Sequence, residues 1–100
     1  MVTANELVRP RFAGRSIDVI AHRGFSGSYP ENTLPAFQAA IAASASMIEL
    51  DVALSADRRP IVIHDDTLER TTTGRGKVAD LSLSDLRRLD AGSWFAPHFK

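Results

Sequence analysis

Ile48-Glu49-Leu50-Asp51-Val52 constrains this chain more than any other stretch, because it sets two carboxylates inside an aliphatic strand pattern. Side chains on a strand alternate faces with period two. Ile48, Leu50 and Val52 therefore share one face, and Glu49 and Asp51 share the other. Burying such an acidic pair is costly unless something compensates its charge, and a divalent cation does so most directly. Two further apolar runs, Ile17-Asp18-Val19-Ile20-Ala21-His22 and Pro60-Ile61-Val62-Ile63-His64, each end in a histidine. By the same alternation His22 lies with Ile20, and His64 lies with Val62, opposite Ile61 and Ile63. Two imidazoles at neighbouring strand ends beside an acidic pair point to acid–base chemistry at one site.

The intervals between these runs carry the remaining elements. A strand is expected at about 17–22, followed by a loop rich in glycine, serine and proline. Asn32 or Thr33 can cap a helix that tolerates Pro35 in its first turn. Leu34, Phe37 and Ile41 recur at helical spacing, which predicts one apolar helix face reaching about residue 44. The second strand follows directly, Ala56-Asp57-Arg58-Arg59 forms a turn, and the third strand ends at His64. Strand, helix, strand in this rhythm predicts a right-handed βαβ unit and a parallel sheet. Residues 1–16 read as a leader of mixed polarity broken at Arg9-Pro10 and Ala13-Gly14. Beyond Asp65 the chain is polar and glycine-punctuated, until Ser82-Leu83-Ser84-Asp85 opens a short capped helix that stops near Gly92.

Composition removes several classes of function. Lys+Arg and Asp+Glu balance at 12 each, so no bulk field recommends nucleic acid or an anionic membrane as partner. The chain has no cysteine, which excludes disulfides and thiolate metal sites. Glu6 interrupts the N-terminal segment, which lacks the continuous apolar core of a secretory signal. No apolar stretch approaches the roughly 18 residues of a membrane-spanning helix, and a cytoplasmic protein is the expectation. Gly74-Arg75-Gly76-Lys77 is followed by Val78 where a P-loop needs Ser or Thr, so nucleotide binding is rejected.

The ordered motifs His22-Arg23-Gly24, Pro30-Glu31-Asn32-Thr33, Ile48-Glu49-Leu50-Asp51-Val52 and His64-Asp65 resemble the glycerophosphodiester phosphodiesterase family. The likeness continues through Leu68-Glu69-Arg70-Thr71-Thr72 and Gly74–Val78, and more faintly through Leu89–Trp94, so it covers about residues 17–95. It implies an α/β fold, a (β/α)₈ TIM-type barrel with its site at the C-terminal strand ends. Such a barrel takes about 250 residues, so the chain is expected to be its N-terminal part, truncated after about three strands. On this reading residues 17–100 are a partial barrel domain, with 65–100 the start of a surface insertion.

The resemblance also assigns roles. His22 and His64 correspond to the general base and acid, work that suits a group of unperturbed pKa about 6.5. Glu49 and Asp51 correspond to metal ligands, and their hard oxygens suit Mg²⁺ or Ca²⁺; the family's third carboxylate comes from a later strand. Arg23 can donate two hydrogen bonds to phosphate oxygens. Glu31 contacts the metal or holds Arg23, while on chemistry alone its place before the helix equally suits a dipole interaction. The implied substrate is a small glycerophosphodiester, hydrolysed to an alcohol and sn-glycerol 3-phosphate by attack of the glycerol 2-hydroxyl through a cyclic phosphate. Two departures concern turns: Ser44-Ala45-Ser46 and Arg58-Arg59 stand where the family usually has a glycine. The alternatives are a sphingomyelinase-D-like or phosphatidylinositol-phospholipase-like lyase, and a truncated, inactive barrel fragment acting as a binding module.

Overall fold

The computed structural model of the chain describes residues 11–12 and 15–100. Strands β1 (Arg11–Phe12) and β2 (Arg15–Ser16) pair antiparallel, Arg11 opposite Ser16. The rest of the sequence-assigned leader lies outside the described residues.

The expected βαβ unit is present. Strand β3 (Ile20–His22) leads through a loop to helix α1 (Leu34–Ala42) and back to β4 (Met47–Glu49), which lies parallel to β3. The register sets Ala21 opposite Ile48 and His22 opposite Glu49. β3 begins at Ile20, not Ile17, because Ser46 takes over the backbone of Val19. Its hydroxyl accepts from the Val19 amide at 3.2 Å, and its own amide donates to the Val19 carbonyl at 2.9 Å.

Thr33, not Asn32, caps α1, accepting from the Ala36 amide at 3.4 Å, with a proline in the first turn. The helix ends at Ala42, two residues before the expected position, where Ser44 turns left-handed at φ 57°. The apolar face read from Leu34, Phe37 and Ile41 is not the one that packs. Leu34 and Ile41 are 72% and 67% exposed, whereas Ala36 and Ala40 are fully buried. The cause is proximity. A side-chain carbon added to Gly24 would lie 2.8 Å from Ala36, so the loop backbone and the helix touch directly and only small residues fit between them.

The third strand departs from expectation. β5 (Val52–Leu54) and β6 (Pro60–Val62) form an antiparallel hairpin with Val52 opposite Val62. The run 47–52 is thus two strands, broken at Leu50-Asp51, each with a different partner. Residues 55–59 are too few for a parallel crossover, which needs a dozen or more, and a short connection between paired strands dictates a hairpin. The ladder continues one step past β6, with the Ile63 amide donating to the Asp51 carbonyl at 3.1 Å.

The core forms between this hairpin and the segment after it. Ile63, Leu68 and Val78 are buried, with Ala53, Ile61, Leu81, Leu86 and Leu89 packed against them. Helix α2 (Leu83–Leu86) is capped by Ser82, as its capping-box sequence predicts. It ends well short of Gly92, whose amide is taken by the Asp90 carboxylate. Ala56 and Leu83 stitch this segment to the hairpin turn, through Ala56 N–H to the Leu81 carbonyl (2.8 Å) and Leu83 N–H to Asp57 Oδ1 (3.0 Å). The aliphatic partners of the acidic strand are less covered than the alternation suggests, Val52 being 55% and Ile20 56% exposed. Among the described residues the sheets do not close into a barrel, and no helix is long and apolar enough to cross a membrane.

Candidate active site

Parallel pairing of β3 and β4 brings His22 and Glu49 side by side, Nε2 to Oε2 at 3.8 Å. Arg23 follows in a left-handed conformation, φ 58°, which bends the chain out of β3 after an amide that still faces β4. That amide donates to the Glu49 carbonyl at 2.9 Å and lies 3.2 Å from Glu49 Oε2. The guanidinium, 18% exposed, sits between Glu31 Oε1 (3.2 Å from Nη1) and Asp51 Oδ2 (3.2 Å from Nε). Arg23 meets Glu49 through its backbone amide and Asp51 through its guanidinium. Each carboxylate keeps more solvent than a buried pair would, 41% for Glu49 and 25% for Asp51. Arg23 supplies compensating charge there, which lowers the burial penalty that prompted the cation argument.

Asp51 is fixed by Asn32, whose Nδ2 donates to Oδ2 at 3.0 Å. That hydrogen bond, with the charges of Arg23, His64 and His22 behind it, holds the Asp51 carboxyl below its ordinary range. His64 reaches the cluster by another route. Its Nδ1 lies 2.8 Å from Asp65 Oδ1. Asp65 accepts from Arg70 Nε (2.8 Å) and Nη2 (3.0 Å), and Arg70 in turn donates to Glu31 through Nη2 (2.7 Å) and Nη1 (3.2 Å). Hydrogen bonds from Arg70 first, then His64, push Asp65 far down; Arg70 likewise lowers Glu31. The guanidinium of Arg70 is raised in return by Asp65 and then Glu31.

His22, Arg23, Glu31, Glu49 and Asp51 thus form one contiguous cluster, which His64 joins through Asp65 and Arg70. Sequence reasoning gave no site role to Asn32 or Arg70, and held Asp65 only as a suspect, with Glu31, for a third metal ligand from within the chain. Asn32 was available once Thr33 took the cap, and its left-handed backbone, φ 57°, is one that asparagine tolerates better than most residues. Of the roles open to Glu31, the geometry matches holding Arg23, since both its oxygens are engaged by arginines. His98 stacks on Phe99, centroids 4.2 Å apart, and Trp94 meets Phe95 edge-on.

The acidic pair fits a hard divalent ion in its chemistry. Among the described residues Glu49 Oε1 and Asp51 Oδ1 accept no hydrogen bond, so each carboxylate has an oxygen to offer. The described residues gather no group of three or more His, Cys, Asp or Glu able to hold a metal, so the pair supplies two ligands and not a closed set. Arg23 Nε is buried in an ion pair with Asp51, 3.2 Å from Oδ2, without hydrogen-bond alignment.

The profile of the glycerophosphoryl diester phosphodiesterase family matches residues 22–100. The Bacillus subtilis protein YhdW is 56% identical over 82 residues, which is 82% of this chain and 34% of that protein. A glycerophosphodiester phosphodiesterase from Caldanaerobacter subterraneus is 51% identical over 81 residues, 81% of this chain and 33% of its own. Among solved structures, a glycerophosphodiester phosphodiesterase from Agrobacterium tumefaciens superposes with TM-score 0.81 at 47% identity, over 83% of this chain and 36% of that one. A phosphodiesterase from Oleispira antarctica, solved with the product sn-glycerol-3-phosphate, gives 0.80 at 46%, over 83% and 34%. The chain belongs to the glycerophosphoryl diester phosphodiesterase family, and it spans about a third of the length of these relatives.

Proposed function

We propose that this chain carries the histidine, arginine and acidic-pair portion of a glycerophosphodiester phosphodiesterase, within a (β/α)₈ barrel whose strand ends include those of β3 and β4. The observation that carries this reading is Arg23. Its guanidinium, oriented by Glu31 and Asp51 beside the His22–Glu49 pair, is a charge and a planar set of donors that a phosphate matches. The relatives' names, and the product held by the Oleispira protein, support sn-glycerol 3-phosphate as the half of the substrate that this arginine holds.

The steps follow from proton bookkeeping. One imidazole takes the proton of the glycerol 2-hydroxyl as its oxygen attacks phosphorus. The other gives a proton to the departing alcohol, leaving a cyclic phosphate. Water opens the cycle with the roles reversed. Asp65 on Nδ1 of His64 keeps the proton there in the neutral ring, so Nε2 is the working nitrogen. Arg23 holds the phosphoryl oxygens in line and balances their growing charge. Glu49 and Asp51 would hold Mg²⁺ or Ca²⁺, which when bound polarises the phosphoryl group.

The test places residues 17–100 into the Agrobacterium tumefaciens protein in place of its matching segment. Release of sn-glycerol 3-phosphate from glycerophosphocholine, with sphingomyelin left intact, is the expected outcome. A folded chimera that cleaves sphingomyelin instead, or neither lipid, overturns the reading.

A further inference from the structure

We propose that Arg70 is a positioning residue that sets His64 and Arg23 together, one guanidinium holding both carboxylates that orient the two groups. The proposal rests on the phosphodiesterase reading for its purpose and on geometry for its content. Arg70 makes two forked contacts. Nε and Nη2 grip the two oxygens of Asp65 at 2.8 and 3.0 Å, while Nη2 and Nη1 grip the two oxygens of Glu31 at 2.7 and 3.2 Å. Two-point contacts fix the rotation of a carboxylate as well as its distance. Asp65 Oδ1 is thereby held 2.8 Å from His64 Nδ1, and Glu31 Oε1 is held 3.2 Å from Arg23 Nη1. Turning either carboxylate would release the ring or the guanidinium it faces.

Arg70 is not needed to hold its own loop. Leu68, Thr71 and Val78 are buried around it. The backbone is closed by Leu68 N–H to the Gly76 carbonyl (3.0 Å), Thr72 N–H to the Leu68 carbonyl (3.0 Å) and Val78 N–H to the Asp66 carbonyl (2.9 Å). Against that anchored loop the Arg70 side chain, 45% exposed, contributes little to folding through its ion pairs. Its reach is spent on two carboxylates, Glu31 being 39 residues away in sequence. Lysine cannot replace it, since an ammonium is a point charge without the planar fork.

The experiment uses the ¹⁵N-labelled chimera that carries residues 17–100 in the Agrobacterium tumefaciens protein, at a pH where the imidazoles are neutral, and reads the His64 ring nitrogens and the Arg23 Nε–H. In the unaltered chimera His64 should show one tautomer, with Nδ1 protonated and the two ring signals far apart. Arg70→Gln should draw those signals together and shift the Arg23 Nε–H, with the β3 and β4 amides in place. Arg70→Lys, the milder change, should move both signals part of the way. Asp65→Asn should move His64 alone, and Glu31→Gln should move Arg23. Titration with sn-glycerol 3-phosphate should weaken roughly tenfold or more in Arg70→Gln, the scale seen when outer partners of site groups are lost. The proposal is overturned when Arg70→Gln and Arg70→Lys leave either the His64 or the Arg23 signal at its original position. If sn-glycerol 3-phosphate perturbs nothing in the unaltered chimera, the phosphodiesterase reading fails instead, and the paired signal changes still decide the role of Arg70.

Discussion

Asn32 and Asp51 grip each other at two points, the carboxamide donating to Oδ2 at 3.0 Å while its own oxygen lies 3.4 Å from the Asp51 amide. This pairing ties the loop before α1 to the place where one strand ends and the next begins. Asn32→Ala removes the grip and leaves a half-covered carboxylate with only Arg23. The urea midpoint should fall by the equivalent of about 1–3 kcal/mol, with the slope of the transition unchanged. Asn32→Asp should cost more, because two carboxylates then face each other. An unchanged midpoint in both variants would remove Asn32 from the framework of the site.

Acid should weaken the fold through Asp65 and Glu31. Both are held below their ordinary range by Arg70, against unfolded values of about 3.9 and 4.3. The unfolded chain therefore binds more protons in this window. The stabilisation is complete above about pH 4.3 and drains away as pH falls toward the folded values. Arg70→Gln removes the largest cause of both shifts, so its stability should vary less between about pH 6 and about pH 3. Urea unfolding at the two pH values measures the difference, which should shrink in high salt because Arg70 is half-exposed.

Loss of either imidazole should slow the chimera without unfolding it. His22→Ala and His64→Ala are each expected to lower kcat by roughly 10²–10⁴-fold, the span for losing a general acid or base. Circular dichroism establishes that the fold is kept before the rates are read. A variant with near-normal kcat takes that histidine out of the mechanism.

Chelation should stop turnover. The chimera is expected to lose activity in excess EDTA and regain it with Mg²⁺ or Ca²⁺, with Glu49→Gln and Asp51→Asn each raising the metal concentration needed for half-maximal activity. Glu31→Gln should leave the metal midpoint where it is, since arginines occupy both Glu31 oxygens. Full turnover in chelator would sink the metal assignment.

Much of the site's placement was legible because strand alternation is a hard geometric rule. Read as extended, residues 48–52 set Glu49 and Asp51 on one side; in the structure the run breaks at Leu50-Asp51, and Arg23 meets Glu49 through its amide and Asp51 through its guanidinium. The pairing of the strands was less legible. The connection 55–59 is too short for a crossover, yet the aliphatic run Pro60–Ile63 looks the same in either orientation. The helix face was misread because large apolar residues dominate a periodicity argument, while close backbone packing at Gly24 selects Ala36 and Ala40. Asp65 and Arg70 lie in a loop, where no period exists to betray a side chain that reaches back 39 residues.

Ser44 and Arg58 hold φ angles of 57° and 59°, so both turns take the left-handed shape that favours glycine with ordinary side chains inside them. A left-handed residue bearing a Cβ costs about 1–2 kcal/mol, of which glycine's greater freedom in the unfolded chain cancels roughly 0.5–1. Their amides bond only within their own turns, to the Ile41 and Ser55 carbonyls, away from the histidines and carboxylates. The two turns are therefore a latent reserve. Replacing both residues with glycine would raise the melting temperature without altering the reaction centre, and would give the chain slack to absorb substitutions there that it could not otherwise survive.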